Sequence, residues 1–363
     1  MIASEMASAV NVKREREVLE PDIPQSFHRA FAMDVLEGLS QRPKRIPSVY
    51  LYDKRGSELF QKITTLEDYY LTESEYEILT EYKEDIFRAL PRQSFNLIEL
   101  GSGDGRKTVL LVDHFIKKQL EFEYITVDIS PESVNNLTLS LERMFSPELK
   151  VTGIIAEYFD GLKWLADKSR LRNLTLFLGS NIGNFDYREA RRFLRHLWDC
   201  LKPDDQLLIG FDLMKDMEVL NRAYNDRGGV TREFNMNLLD RINRELGGDF
   251  NREKFVYYSG YEVAMGAVES YLVSTEKQEV YIRDLDRVFS FDAWEPIHTE
   301  SSFKYAEHEI VCLAAETGFQ VQKNFFDSRR YFVDSLWRAI KPGTAAPNTC
   351  KSSEGFRVWH PDS

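Results

Sequence analysis

Cysteine is nearly missing from this 363-residue chain, which holds only Cys200, Cys312 and Cys350, far apart and with no C-x-x-C pair. So sparse and odd a set excludes a disulfide framework, offers no zinc site or other metal site, and fits a reducing, cytoplasmic setting. No apolar run approaches the ~20 residues that span a bilayer. The opening stretch MIASEMASAVNVKREREVLEPDIP has a charged K-R-E-R-E cluster and no sustained apolar core. A secretory signal is therefore not expected, and residues 1–25 read as a mobile tail. Positive charge is in deficit, with Lys+Arg 47 against Asp+Glu 59 and a net charge of −12. That balance argues against nucleic acid or an anionic membrane as the main partner and favours a small-molecule enzyme. Internal repeats and low-complexity tracts are absent too.

What the chain does have is apolar and aromatic bulk: 43% hydrophobic residues, with 24 Phe and 17 Tyr, ample for a packed core. Its length exceeds the usual single-domain size, so one large domain with an insertion, or two domains, is expected. The stretch Asn96–Thr108 organises the rest. It reads as a short apolar strand (Leu97, Ile98, Leu100) carrying Glu99, then Gly101, Gly103 and Gly105, then the start of a helix. Such glycines permit φ > 0 and leave bare backbone for a ligand. The spacing G-x-G-x-G matches neither the dinucleotide fingerprint nor the phosphate-cradling loop. A nucleoside with a charged tail and no pyrophosphate suits it better, and S-adenosylmethionine is such a ligand.

Along the chain, residues 26–47 read as a helix, with Phe27, Phe31, Val35 and Leu39 near a 3.6 period, ending in QRPKRIP. A turn is expected at Lys54–Gly56, a helix from Ser57 and another from Thr72, where Thr72 and Glu75 form a plausible capping box. Tyr50, Tyr52, Phe60, Tyr69 and Tyr70 make either a core patch or a lid over a ligand, and sequence alone favours the core patch. From residue 96, strands at 96–100, 123–128, 150–155, 174–179, 206–212 and 319–327 alternate with helices near 106–119, 131–145, 160–169, 187–201 and 305–317. This alternation predicts an α/β fold with a largely parallel sheet. Asp128, at the end of the second strand, is placed either to grip a ribose diol or to cap the following helix. Glu157 and Tyr158 are placed to meet an adenine ring, or simply to begin a helix. The loop Gly179–Phe185 (GSNIGNF) faces the same cleft. Residues 215–304 interrupt the pattern with helices at 217–225 and around Leu238–Leu246, then a hairpin or meander across Val268–Ile282. The tail after Trp337 is rich in breakers, and partial disorder or loose packing is expected there.

With these segments in view, the chain resembles the S-adenosylmethionine-dependent histidine Nα-methyltransferases of ergothioneine biosynthesis. The likeness runs from about Tyr52 to the strand near 327 and rests on YDKRGSELFQKIT, EDYYLTESE, IELGSGDGRKT, FLGSNIGNF, GFDLMKD, RAYNDRGGVTREFNMNLLDRINREL and HTESSFKY. It implies a Rossmann-like class I methyltransferase sheet (residues 73–214 and 305–341) whose final strand is antiparallel. It also implies an α+β substrate-binding domain (26–72 and 215–304), leaving a C-terminal tail at 342–363. By resemblance, Gly101, Ser102, Gly103, Lys107, Asp128, Glu157 and Tyr158 hold S-adenosylmethionine. Asn184 and Tyr224 take the substrate carboxylate as neutral donors, which avoids a buried extra charge. Tyr69, Glu300 and Ser302 clamp the side chain, and Tyr52 with the Gly179 backbone borders the reacting amine. Ser270 stands where histidine-specific members have methionine beside the imidazole, and Asn181 where they have threonine. These two departures open volume for another aromatic amino acid or amine, whereas Glu300 favours histidine, because a buried carboxylate needs a ring N–H partner. The expected protein is a monomeric N-methyltransferase of the histidine α-amino group, with up to three transfers giving the trimethylated betaine, or else a non-catalytic cofactor-binding module.

Overall fold

The computed structural model describes residues 23–90 and 93–342, so the N-terminal tail up to residue 22 and the C-terminal tail from 343 lie outside it. The chain opens with helix α1 (Ile23–Ser40), so the expected tail is already helical over its last three residues. Strand β1 (Lys44–Arg45), α2 (Lys54–Ile63) and α3 (Tyr70–Ala89) follow. Two boundaries differ from the sequence reading. Lys54–Gly56 is the first turn of α2, because Asp53 caps it by accepting from the Gly56 N–H at 2.7 Å. Helix α3 starts before Thr72, and Glu75 turns inward, fully buried, instead of closing a capping box.

The alternating region gives β2 (Phe95–Leu100), α4 (Arg106–Lys117), β3 (Phe122–Asp128), α5 (Pro131–Phe145), β4 (Lys150–Ile155), α6 (Tyr158–Lys168), β5 (Arg172–Phe177), α7 (Tyr187–Cys200) and β6 (Gln206–Asp212). Each helix starts where local chemistry allows. Ser130 accepts from the Ser133 N–H ahead of Pro131, and Asp186 with Glu189 forms a true capping box on α7. The insertion contributes α8 (Met217–Tyr224), α9 (Val230–Leu246), β7 (Phe255–Glu262), β8 (Ala267–Ser274), β9 (Gln278–Ile282), β10 (Arg287–Phe291) and β11 (Pro296–Phe303). The chain closes with α10 (Glu307–Thr317), β12 (Phe319–Phe326) and β13 (Phe332–Ala339).

Seven strands form the main sheet in the order β12-β13-β6-β5-β2-β3-β4. All run parallel except β13, which lies antiparallel between β12 and β6. Strand β13 was not anticipated and reaches into the segment expected to be loose. Two buried polar residues, Asp334 and Ser335, interrupt its apolar run and hide it from a pattern search. Central strand β2 is buried on both faces, as parallel sheets covered by helices require. On one face, α7 lays Ala190, Phe193, Leu194 and Leu197 into the core, where a Leu→Ala cut costs about 2–5 kcal/mol.

A second sheet, β1-β11-β8-β7, is built from the insertion plus the short β1, and β9 pairs with β10 in a separate ribbon. The expected hairpin or meander across Val268–Ile282 is therefore not formed, since β8 and β9 do not pair with each other. Strand β8 pairs with β7 and β11, while β9 leaves for a separate ribbon. In the main sheet the chain leaves β2 towards β3 and β4, then returns to β5 on the other side. The carboxyl ends of β2 and β5 thus flank a topological switch point, where open α/β sheets bind ligands.

Candidate functional site

A cleft of about 1690 Å³ opens at that switch point. Its floor is the loop after β2. Gly101 has φ +70°, and a Cβ there would meet the Tyr158 hydroxyl at 2.6 Å, so only glycine fits beneath that ring. A Cβ on Gly103 would meet nothing within 4 Å, which leaves open backbone facing the cleft. Ser102 sits below it, bonded to Thr126 at 2.8 Å. Asp128 lines the far wall and accepts from the Ser130 N–H at 2.9 Å, while Ser130 does the capping; burial raises the Asp128 carboxyl above its ordinary value. Glu157 and Tyr158 line the same wall, and Glu157 makes no cap hydrogen bond to α6. The predicted cradle residues, Lys107 included, therefore surround one space. A ribose-binding acid, an aromatic face, an ammonium and uncovered glycine backbone fit an adenosyl group with an amino-acid tail.

Across the floor stands the loop after β5. Gly179 has φ +78°, and its N–H donates to both oxygens of Glu75 at 2.7 and 3.0 Å. Glu75 also pairs with Lys107, so one fully buried carboxylate ties the cofactor loop to the acceptor loop. Burial and then the Glu75 charge push the neighbouring Asp334 carboxyl well above the usual range. Glu75 escaped the sequence reading because its local spacing fits a cap.

Beyond Gly179 the cleft continues into a side chamber of about 30 Å³ that shares its walls, so an acceptor seated there also occupies the cleft. Tyr52, Tyr69, Asn181, Asn184, Tyr224, Glu300 and Ser302 line it, joined by Phe60 and Phe234, which the sequence reading did not single out as pocket walls. Tyr52 meets Phe60 and Phe234 edge-on, each at 5.3 Å, and Tyr69 meets Tyr224 at 6.3 Å. The aromatic group thus divides. Tyr50 packs on Phe31 and bonds Asp34 as a core residue, whereas Tyr52, Phe60 and Tyr69 face the chamber. Burial, followed by the Glu300 charge, holds the Tyr52 phenol well above its ordinary range, so it stays neutral. Burial also raises the Glu300 carboxyl to about 7, and among the described residues it has no hydrogen bond or ion pair.

Ser270 is brought beside Glu300 on the paired strand but lines neither cavity. It is buried under Tyr257, whose hydroxyl lies 3.3 Å from it. The chamber wall is closed there, so the expected roomier pocket at Ser270 is not formed.

Behind the chamber lies a charge cluster with no local sequence signal. Asp212, at the end of β6, accepts from Tyr70 at 2.8 Å and pairs with Lys215 and with Lys304 at 3.0 Å. Burial lowers Lys215 to about 8 despite that partner. Lys304 is fully buried and donates to the Tyr224 hydroxyl at 2.9 Å and to Ser302 Oγ at 2.7 Å. The neutral carboxylate donors expected from sequence are thus backed by a buried cation.

Comparison with known proteins places this arrangement. A family model described as "Histidine-specific methyltransferase, SAM-dependent" matches residues 31–339. The "Histidine N-alpha-methyltransferase" of Mycobacterium tuberculosis is 34% identical over 291 residues, 80% of this chain and 89% of that protein. Its counterpart in Mycolicibacterium smegmatis is 34% identical over 295 residues, covering 81% and 90%. The "Ergothioneine biosynthesis protein 1" of Schizosaccharomyces pombe is 34% identical over 347 residues, covering 90% of this chain and 44% of that longer protein.

Proposed function

This chain belongs to the S-adenosylmethionine-dependent histidine-specific methyltransferase family, and on that premise we propose that it methylates the α-amino nitrogen of L-histidine, up to the trimethylated betaine. The observation that carries the acceptor is Glu300, a carboxylate with no partner among the described residues, lining both the cleft and the aromatic chamber beside it. An imidazole N–H satisfies it, and leaving it bare costs about 1–3 kcal/mol or more. Bound S-adenosylmethionine supplies a methyl group on an activated sulfonium carbon. Gly101, Ser102, Gly103, Lys107, Asp128, Glu157 and Tyr158 hold it in the cleft.

The chain's own contribution is placement and desolvation. Asn184 and Tyr224 orient the acceptor carboxylate, while Tyr69, Glu300 and Ser302 hold the ring. Tyr52 and the Gly179 backbone border the nitrogen. The neutral Tyr52 phenol orients the nitrogen lone pair without fixing a proton on it, as a carboxylate partner would. Residues 26–72 with 215–304 act as the substrate-binding domain, and 73–214 with 305–341 as the cofactor domain. We place the enzyme in the cytoplasm as a monomer acting on free amino acid, in keeping with its net charge of −12. No helix among the described residues is long and apolar enough to cross a membrane.

Incubation with S-adenosylmethionine and L-histidine, read by mass spectrometry, should give Nα-methylated histidine; its absence removes this reading. A second reading, a different aromatic amino acid or amine, rests on Asn181 in the chamber wall. A panel of acceptors ranked by turnover separates the two, with histidine leading under the first.

A further inference from the structure

Lys304 is a buried cation behind the acceptor chamber. Its ammonium donates to the Tyr224 hydroxyl at 2.9 Å and to Ser302 Oγ at 2.7 Å, and it forms an ion pair with Asp212 Oδ2 at 3.0 Å. An ammonium only donates, so both hydroxyl oxygens receive from it. The hydroxyls lie 2.7 Å apart, and one of their two protons closes that contact. A single proton is left for an acceptor placed in the chamber that both residues line.

Asp212 lies between Lys215 and Lys304, all with side chains 4% exposed or less, and Glu300 and Asp327 are the further carboxylates that act on these lysines. Lys304 therefore places a positive charge directly behind the hydroxyl pair, where ordinary solvent screening is weak. Asn184 adds a neutral amide to the same wall.

We propose that Lys304 is a positioning residue that fixes the Tyr224–Ser302 hydroxyl pair as a one-proton donor with a buried positive charge behind it, making the substrate carboxylate a requirement for binding. The pair selects an amino acid over the amine that lacks its carboxylate. This rests on the acceptor reading above. The proton given to the carboxylate comes from Tyr224, whose oxygen accepts from Lys304 and from the Ser302 hydroxyl.

The test uses two fragments of the acceptor, imidazolepropionate, which keeps the carboxylate, and histamine, which keeps the amine. Their affinities are measured by calorimetry on the full-length wild-type enzyme and on Lys304→Met. Asp212 retains Lys215 and Tyr70 in that variant, so no carboxylate is stranded. Imidazolepropionate should bind at least tenfold more weakly to Lys304→Met, histamine less than threefold more weakly, and S-adenosylmethionine affinity should hold. Parallel losses of both fragments, or no loss of imidazolepropionate, overturn the proposal. If Lys304→Met does not fold, Tyr224→Phe breaks the relay with the lysine in place and must show the same selective loss. If the enzyme methylates another amino acid, the histidine reading fails by itself, and the same two fragments of that amino acid decide the role of Lys304.

Discussion

The cofactor cradle and the acceptor chamber share a wall yet are built on opposite plans. Every cradle residue lies between Gly101 and Tyr158, and the contacts depend on backbone shape: positive-φ glycines, strand ends and helix starts. The chamber draws Tyr52 and Tyr69 from before the main sheet, Asn184 from its middle, and Phe234, Glu300 and Ser302 from the insertion. Its character comes from side chains and from charges one layer behind them. The difference teaches that a ligand shared by many enzymes can be held by local geometry, whereas selecting one acceptor takes a tertiary enclosure.

The strongest way to break that division is at Glu75, a carboxylate that serves both regions. Glu75→Ala removes the Gly179 N–H acceptor and strands Lys107, which is 23% exposed. A loss of about 3 kcal/mol is expected, read as a lower urea midpoint, together with weaker cofactor and acceptor binding. Asp128→Ala should respect the division. Cofactor Kd should rise about 10- to 100-fold, the equivalent of one charged hydrogen bond, with acceptor KM nearly constant. A loss confined to the acceptor would show that the regions are not separable.

Glu300 tests the chamber through pH. Its folded carboxyl titrates near 7, above the unfolded value of about 4.3. The folded state holds that proton more tightly. The contribution to stability is therefore full below about pH 4 and is lost as pH rises through about 7. Relative to Glu300→Gln, the wild type should lose stability on the order of 1 kcal/mol between pH 5 and 8, measured by urea unfolding at both. The smallest effect is expected at Ser270. Because that side chain touches Tyr257 and not the cavity, Ser270→Ala should cost under about 1 kcal/mol and shift acceptor KM less than threefold. A large KM change would mean that the chamber extends past its present wall.

Legibility in the sequence followed the same divide. Strands β2 to β6 stood out as apolar runs at regular spacing, and the glycine loop with Asp128 marked the cradle because those signals are local. Strand β13 did not, since Asp334 and Ser335 sit buried in the middle of its run. Glu75 looked like a helix cap, because T-x-x-E spacing carries no information about which way the side chain turns. The chamber residues came from likeness to a family, whereas Asp212 and Lys304, though inside the segments GFDLMKD and HTESSFKY, were given no role by it. A lysine after a strand reads as a surface residue until the fold brings Asp212, 92 positions away by subtraction, to within 3.0 Å. The hairpin expectation failed for a related reason: alternation reveals a strand but not its partner.

The first elements of the chain depend on some of the last to be made. The Lys44–Glu295 pair spans 251 residues, and Tyr50 and Asp53 are each held by an arginine of α9 that lies 191 residues downstream. During synthesis at about 5–20 residues per second, the α1 face bearing Phe31, Val35 and Leu39 waits roughly 12–50 s for Glu295 to emerge. The cofactor sheet from β2 to β6 can assemble within that interval. The acceptor chamber is therefore the last part of the nascent enzyme to close, and its early half must be kept from aggregating until then.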